Sequence, residues 1–155
     1  MITAQHEVNA AQHNVRPQID ELSERLVELL IQATNHHREG RLPQAENCYR
    51  EILAIDPLQP NANHNLGVLA LDADQANLSL DYFRIALDND PDEPQFWMSY
   101  VDALIKAGQP NHARDVLLSG LELGLHGDEV NALVEQLAKP QKSLAQPIQV
   151  CNGLA

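Results

Sequence analysis

Apolar residues recur along most of this chain at intervals of three and four positions, the spacing of one face of an α-helix. In the first such stretch, Leu22, Leu26, Leu29 and Ala33 fall on one side of the predicted helix. Prolines, glycines and polar clusters divide the pattern into seven segments. The predicted helices span residues 18–39, 43–56, 61–73, 77–89, 94–107, 111–123 and 128–138. The pattern therefore indicates an all-α chain.

Two stretches lie outside this pattern. Residues 1–17 are polar, rich in Gln, Asn and His, and end at Pro17. We predict that they form a mobile leader with some helical content. Residues 139–155 show no helical period and are interpreted as a tail or linker. The predicted domain is therefore residues 18–138.

The helical segments repeat one another at an offset of 34 residues. At this offset, large, small and turn-forming residues align with residues of the same kind. The aligned sets include Pro57 with Pro91, Tyr49 with Phe83 and Leu117, and Ala45 with Ser79 and Ala113. A period of this length is typical of a stack of helix–turn–helix units, each of which buries its apolar face against its neighbours.

Over residues 24–138 the chain resembles the tetratricopeptide-repeat family. The middle repeat carries the family consensus most completely, as Leu66, Gly67, Phe83, Ala86 and Pro91. The resemblance implies a right-handed α-solenoid of three helix pairs, closed by a C-terminal capping helix. The implied repeats are residues 24–57, 58–91 and 92–125, and the capping helix is residues 128–138.

A narrower resemblance rests on the run from Phe96 to Leu125 and the capping helix after it. This part is similar to modules at the start of bacterial multidomain proteins. Those proteins often continue into a glycosyltransferase, sulfotransferase or methyltransferase domain. The resemblance implies an accessory role beside a catalytic domain, in cis or in trans.

The charge of the chain narrows the choice of partners. It contains 22 acidic and 10 basic side chains, a net charge of −12, and no basic stripe. Nucleic acid and anionic membrane surfaces are therefore poor partners, because both attract cationic side chains. Residues 1–17 lack the apolar core of a secretory signal, and no run approaches membrane-spanning length. We therefore expect a cytoplasmic protein.

The sequence contains no motif that indicates catalysis. It has neither a glycine-rich phosphate loop nor a nucleophile elbow. None of its seven histidines is four residues from another, the spacing of a helical metal site. His36 and His37 are adjacent, so on a helix they point about 100° apart. We expect no enzyme activity, no cofactor and no metal site within these residues.

In the tetratricopeptide-repeat family, the first helix of each pair lines the concave face, which we call the first-helix face. The resemblance implies a peptide-binding site on this face. Its residues here are Thr34, His37 and Arg38 in repeat one, Asn61, His64, Asn65 and Val68 in repeat two, and Gln95, Met98, Ser99, Asp102 and Lys106 in repeat three. Amide, imidazole and apolar groups together suit an extended peptide, whose backbone needs donors and acceptors.

Asn65 is the residue of this set that the resemblance singles out. In family members that bind extended peptides, an Asn at this place contacts the ligand backbone. Ile31 and Ser99 occupy the equivalent places in the other repeats, so at most one such contact remains. The alternative is that Asn65 hydrogen-bonds a neighbouring helix or water.

The family also contains a clamp of basic and amide residues that grips the C-terminal carboxylate of a ligand. Apart from Asn65, the clamp positions hold Leu30, Thr34, Gln95 and Ser99. None of these four side chains is basic, so this kind of recognition is not expected here.

These observations predict a non-catalytic module that binds a protein or peptide on its first-helix face. We expect it to recruit a substrate or partner for a catalytic domain. The alternative is a self-association module, in which stacked ends or the long first helix build a homodimer.

Overall fold

The computed structural model describes the backbone of residues 3–138 and the side chains of residues 21–138. Within that range the chain forms seven helices. They are α1 (Thr3–Arg38), α2 (Leu42–Ile55), α3 (Pro60–Asp72), α4 (Ala76–Asn89), α5 (Pro94–Lys106), α6 (Pro110–Glu122) and α7 (Asp128–Ala138). Consecutive helices pack on one another in three pairs, and α7 packs on α6. The predicted all-α solenoid with a capping helix is confirmed.

The first helix differs from the prediction. It begins at Thr3, whereas the sequence pattern places its start near residue 18. Residues 3–16 contain neither proline nor glycine, so nothing in them stops a helix. Pro17 removes one hydrogen bond of the helical ladder, but the helix continues through it. The stretch predicted as a leader is therefore helical from Thr3 onward, while the predicted tail at 139–155 lies outside the described residues.

The turn inside each helix pair has the same backbone geometry. A residue in the left-handed region lies two positions beyond the first helix in each pair: Gly40 at φ 73°, Asp74 at φ 58° and Gly108 at φ 72°. The residue that follows donates its N–H to a carbonyl five positions back, over 2.9, 2.9 and 2.8 Å respectively. This is the hydrogen bond of the Schellman helix ending. The 34-residue period therefore extends to the turns, although Asp74 replaces glycine.

Close packing within a pair depends on small side chains. Ala45, Ser79 and Ala113, which align in the sequence, are all fully buried. Gly67 faces Phe83, and a Cβ added to this glycine would lie only 2.7 Å from the phenyl ring. A larger residue at position 67 would therefore push α3 and α4 apart.

The capping helix covers the last pair with a narrow apolar strip. Val130 and Leu137 of α7 are buried and join the core that contains Leu117 and Leu125. Arg114 of α6 donates a hydrogen bond to the carbonyl of Leu137. This bond satisfies a carbonyl at the end of α7 that has no partner within its own helix.

Candidate functional site

All of the predicted binding residues lie on α1, α3 and α5, the first helices of the three pairs. Their exposure divides them into three groups. Thr34, Arg38, Asn61, Gln95 and Lys106 are exposed; His37, Asn65, Val68, Met98, Ser99 and Asp102 are half-buried; His64 is buried. The first-helix face also exposes two apolar side chains, Val27 and Ile31, each at 57%.

His64 differs from the prediction, because it lies inside the junction between repeats two and three. Only 5% of its surface is exposed. Its Nε2 atom lies 2.9 Å from the Ser99 hydroxyl, with which it shares a hydrogen bond. Its ring centroid lies 5.5 Å from that of Phe83 and 4.9 Å from that of Phe96. His64 therefore packs α3 against α4 and α5. Of the two hydrogen-bonded residues His64 and Ser99, only Ser99 is partly exposed at the surface.

The surroundings of His64 lower the pKa of its imidazole from 6.5 to about 4. The main cause is burial, which disfavours the charged form. The carboxylate of Glu93 acts in the opposite direction, and the nearby His37 lowers the pKa further. Near neutral pH this imidazole is therefore uncharged, as its packing between two phenyl rings requires.

Asn65 is half-buried, and its side-chain amide is turned toward its own helix. The Nδ2 atom donates a hydrogen bond to the Asn61 carbonyl over 2.7 Å. Thr34 on α1 behaves in the same way, since its hydroxyl donates to the Leu30 carbonyl. Bonds of this type hold a polar side chain in one orientation beside the helix backbone.

Both basic residues of the predicted site have partners in the protein. Lys106 pairs with Asp102 one turn earlier on α5, with 2.8 Å between nitrogen and oxygen. Arg38 donates a hydrogen bond to the Asn35 side chain over 3.0 Å. His37 is half-buried, and its ring meets the edge of the Tyr49 ring at a centroid distance of 6.4 Å.

A cleft of about 520 Å³ lies between the first turn of α5 and the start of α7. Two predicted residues, Gln95 and Met98, line it, together with residues that sequence reasoning did not include. The additional lining residues are Glu93, Pro94, His126, Gly127, Asp128, Glu129 and Val130. Three of them are acidic. No periodic signal connects these two parts of the chain, so only the packing of α7 reveals the cleft.

The described residues contain neither a cluster of metal ligands nor a helix that could span a membrane. Between residues 21 and 138, no three His, Cys, Asp or Glu side chains come together as metal ligands would. Among the helices of residues 3–138, none has the length and apolar character needed to cross a bilayer.

Solved structures with a similar fold include domains bound to peptides. The second tetratricopeptide domain of human RPAP3, in complex with the HSP70 peptide SGPTIEEVD, matches with a TM-score of 0.68 and 15% identity, covering 76% of this chain and 98% of that chain. The Yersinia enterocolitica type III secretion chaperone SycD, in complex with a peptide of the translocator YopD, matches with a TM-score of 0.64 and 20% identity. The match covers 72% of this chain and 91% of that chain. At 15% and 20% sequence identity, this similarity shows a shared fold and nothing further.

Sequence comparison identifies the family. No curated protein matches the chain. The family model described as tetratricopeptide repeat matches residues 32–94 and again residues 64–124, which together span more than half of the sequence. The two matches overlap by about one helix pair, as expected when neighbouring repeats share a pattern. The chain therefore belongs to the tetratricopeptide repeat family.

Proposed function

We propose that the first-helix face binds an extended peptide segment of a partner protein. The observation that carries this proposal is the pair of surface features on the first helices, namely the half-buried amide of Asn65 on α3 and the exposed apolar side chains of Val27 and Ile31 on α1. An extended peptide needs both, because its backbone requires hydrogen bonds and its side chains require apolar contacts. Similar folds in complex with peptides support the same reading.

Asn65 would make the central contact with the peptide backbone. Its Nδ2 donates one hydrogen bond to the Asn61 carbonyl, which orients the amide. An amide has two N–H donors and a carbonyl oxygen, so it can still pair with both groups of a ligand peptide unit. Val68 lies one turn further along α3 and is half-buried, within reach of an apolar side chain of that peptide.

The charges around the face favour a peptide that is neutral or basic. Lys106 is already paired with Asp102, and the cleft beside Met98 is bordered by Glu93, Asp128 and Glu129. An acidic tail in the cleft would meet these carboxylates, and no lysine or arginine lines the cleft to compensate, which costs binding energy. A lysine or arginine side chain would instead place its aliphatic part in the cleft and its charge at the acidic rim.

The direct test is a peptide array probed with the whole chain. The peptides have equal length and one apolar core, and their flanking residues are acidic, neutral or basic; SGPTIEEVD serves as the acidic reference. We expect binding to the neutral and basic peptides, with affinity for basic peptides falling as salt is added. Binding of SGPTIEEVD in preference to the basic peptides would contradict the proposed charge selectivity, and no binding anywhere would contradict peptide recognition.

The contact residue is tested by a pair of matched variants. Asn65→Ala removes the proposed ligand contact, and we expect the dissociation constant of the best peptide to rise by roughly fivefold to thirtyfold, or about 1–2 kcal/mol. Asn89→Ala is the control, because Asn89 also donates to a carbonyl four residues back, over 2.8 Å, but lies on α4. Unchanged affinity in Asn65→Ala, with stability intact, would place the site elsewhere.

The same proposal includes a catalytic domain that the bound partner or substrate would reach, encoded on the same chain or supplied by another protein. The supporting observation is the resemblance of the run from Phe96 to Leu125 to modules that precede such domains. The test is the intact mass of the native gene product. A mass well above 17.2 kDa would favour a domain in cis. A mass near that value would favour a partner in trans, to be found by pull-down.

A further inference from the structure

A row of equivalent positions crosses the first-helix face. Ile31 on α1, Asn65 on α3 and Ser99 on α5 belong to this row, because each is 34 residues from the next. In a stack of repeated helix pairs, equivalent residues lie at the same level of neighbouring units. The row therefore leads from repeat one to repeat three, with Asn65 between its two ends.

The three helices lie side by side along this row. Leu29 of α1 and Leu66 of α3 belong to one buried core. His64 of α3 shares its hydrogen bond of 2.9 Å with Ser99 of α5. Packed helices are about 8–10 Å apart, so the two intervals from α1 to α5 together cover about 20 Å. An extended peptide advances about 3.3 Å per residue and therefore crosses this distance with about six residues.

The end of the row on α1 is apolar. Val27 and Ile31 lie one helical turn apart, and each exposes 57% of its surface. Leu30, between them in the sequence, is half-buried. An apolar side chain placed here would remove these surfaces from water, which favours binding.

The end of the row on α5 is the cleft beside Met98. Gln95, which has the same place in repeat three as Val27 in repeat one, also lines this cleft. The cleft and the apolar end are therefore at the same level of the stack. The lining of the cleft includes the apolar side chains of Pro94, Met98 and Val130 and the carboxylates of Glu93, Asp128 and Glu129.

The chemistry of the cleft matches one long cationic side chain. Within residues 21–138, Glu93, Asp128 and Glu129 form no ion pair with a lysine or arginine. A lysine or arginine side chain combines an aliphatic stem, which suits the apolar lining, with a charged head, which suits the carboxylates.

We propose that the segment bound on this face carries two anchor residues separated by about six residues. One anchor is an apolar side chain that contacts Val27 and Ile31, and the other is a lysine or arginine that enters the cleft. This inference rests on the peptide binding proposed above and adds a required spacing to it. A shorter segment would reach only one of the two anchors.

The test uses labelled peptides of equal length, each with one leucine and one arginine in an otherwise neutral, polar sequence. Three, six or nine residues separate the two, and both orders are made. Affinity for the full chain is measured by fluorescence anisotropy. The better order at six residues should bind about tenfold more tightly than at three, because three residues extend only about 10 Å and leave one anchor unused. A separation of nine should cost less, since a slack chain still reaches both anchors.

Two charge variants test the cleft. Glu93→Gln with Glu129→Gln removes two carboxylates, and the new amide at position 93 keeps an oxygen that can accept from the Gln95 N–H. Glu122→Gln with Glu135→Gln is the control, since it changes the net charge equally at exposed positions that do not line the cleft. We expect the cleft variant to lose the preference for six residues over three and the control to keep it.

The apolar end is tested by Val27→Ala with Ile31→Ala. This variant should bind the six-residue peptide about tenfold more weakly, and α1 should stay helical because alanine favours helices. Leu118→Ala is the control, because Leu118 is 52% exposed but lies on α6. Its affinity should equal that of the wild type.

The outcomes distinguish the spacing from peptide binding itself. Affinities that do not depend on the separation would overturn the spacing and leave peptide binding intact. A cleft variant that keeps the wild-type preference for six residues would also overturn it. If none of the peptides binds, both the spacing and the peptide-binding function are wrong. Circular dichroism of each variant establishes that a changed affinity does not come from unfolding.

Discussion

The buried histidine at the junction of repeats two and three should make the stability of the fold depend on pH. In the folded chain the pKa of His64 is lowered from 6.5 to about 4, chiefly by burial. In the unfolded chain the imidazole returns to its ordinary pKa and takes up a proton more readily. Unfolding is then favoured as the pH falls, because the unfolded state binds more protons.

The sign and size of the effect follow from these two pKa values. Well above pH 6.5 the His64 imidazole is neutral in both states and costs no stability, whereas stability is lost as the pH falls from about 6.5 to about 4. Between pH 7 and pH 5 the linkage relation predicts a loss of about 2 kcal/mol in the free energy of unfolding. The total, reached below the folded pKa, is about 3 kcal/mol at 1.36 kcal/mol per pKa unit.

The assay is urea unfolding followed by the fluorescence of Trp97, which is buried in the core. The double variant His64→Phe with Ser99→Ala removes the titrating ring and its hydrogen-bond partner together, so no polar group is left unpaired. We expect its stability to change little between pH 7 and pH 5. His126→Gln, at an exposed position, should keep the wild-type pH dependence.

Two outcomes would refute this reasoning. One is a double variant that loses as much stability as the wild type between pH 7 and pH 5. The other is an NMR titration in which the His64 ring shifts near pH 6.5, since a buried and uncharged imidazole would titrate near 4.

Two further predictions concern the stability of the helix pair formed by α3 and α4. Gly67→Leu should lower the free energy of unfolding by about 3 kcal/mol or more, because even a Cβ there would lie 2.7 Å from the Phe83 ring. A variant that is equally stable and unfolds cooperatively would show that α3 and α4 do not pack in this register. Asp74→Gly should raise the melting temperature, with a gain of up to about 1 kcal/mol, because Asp74 holds φ at 58°, where glycine is favoured. A lower melting temperature would mean that the Asp74 side chain stabilises the turn by more than its backbone conformation costs.

Much of the fold could be predicted from the sequence, because its causes are local and repeated. The helices after α1 begin and end within one residue of the predicted bounds. Four of them, α2, α3, α5 and α6, have a proline at their first or second position. The burial of Tyr49, Phe83 and Leu117 follows from their recurrence at one offset. The start of α1 could not be predicted in this way, because a polar composition does not distinguish a leader from an exposed helix.

The features of the candidate site depended on tertiary structure. Sequence spacing places His64 on the first-helix face, but its burial arises from Phe83 and Phe96, which belong to two other helices. The cleft beside Met98 exists because α7, which packs on α6, lies opposite the start of α5, an arrangement that no local period encodes. The period of the chain determines which residues can face a partner, since it depends on helix geometry alone. Which of them remain exposed is decided by the neighbouring repeats, because burial depends on every element that packs nearby.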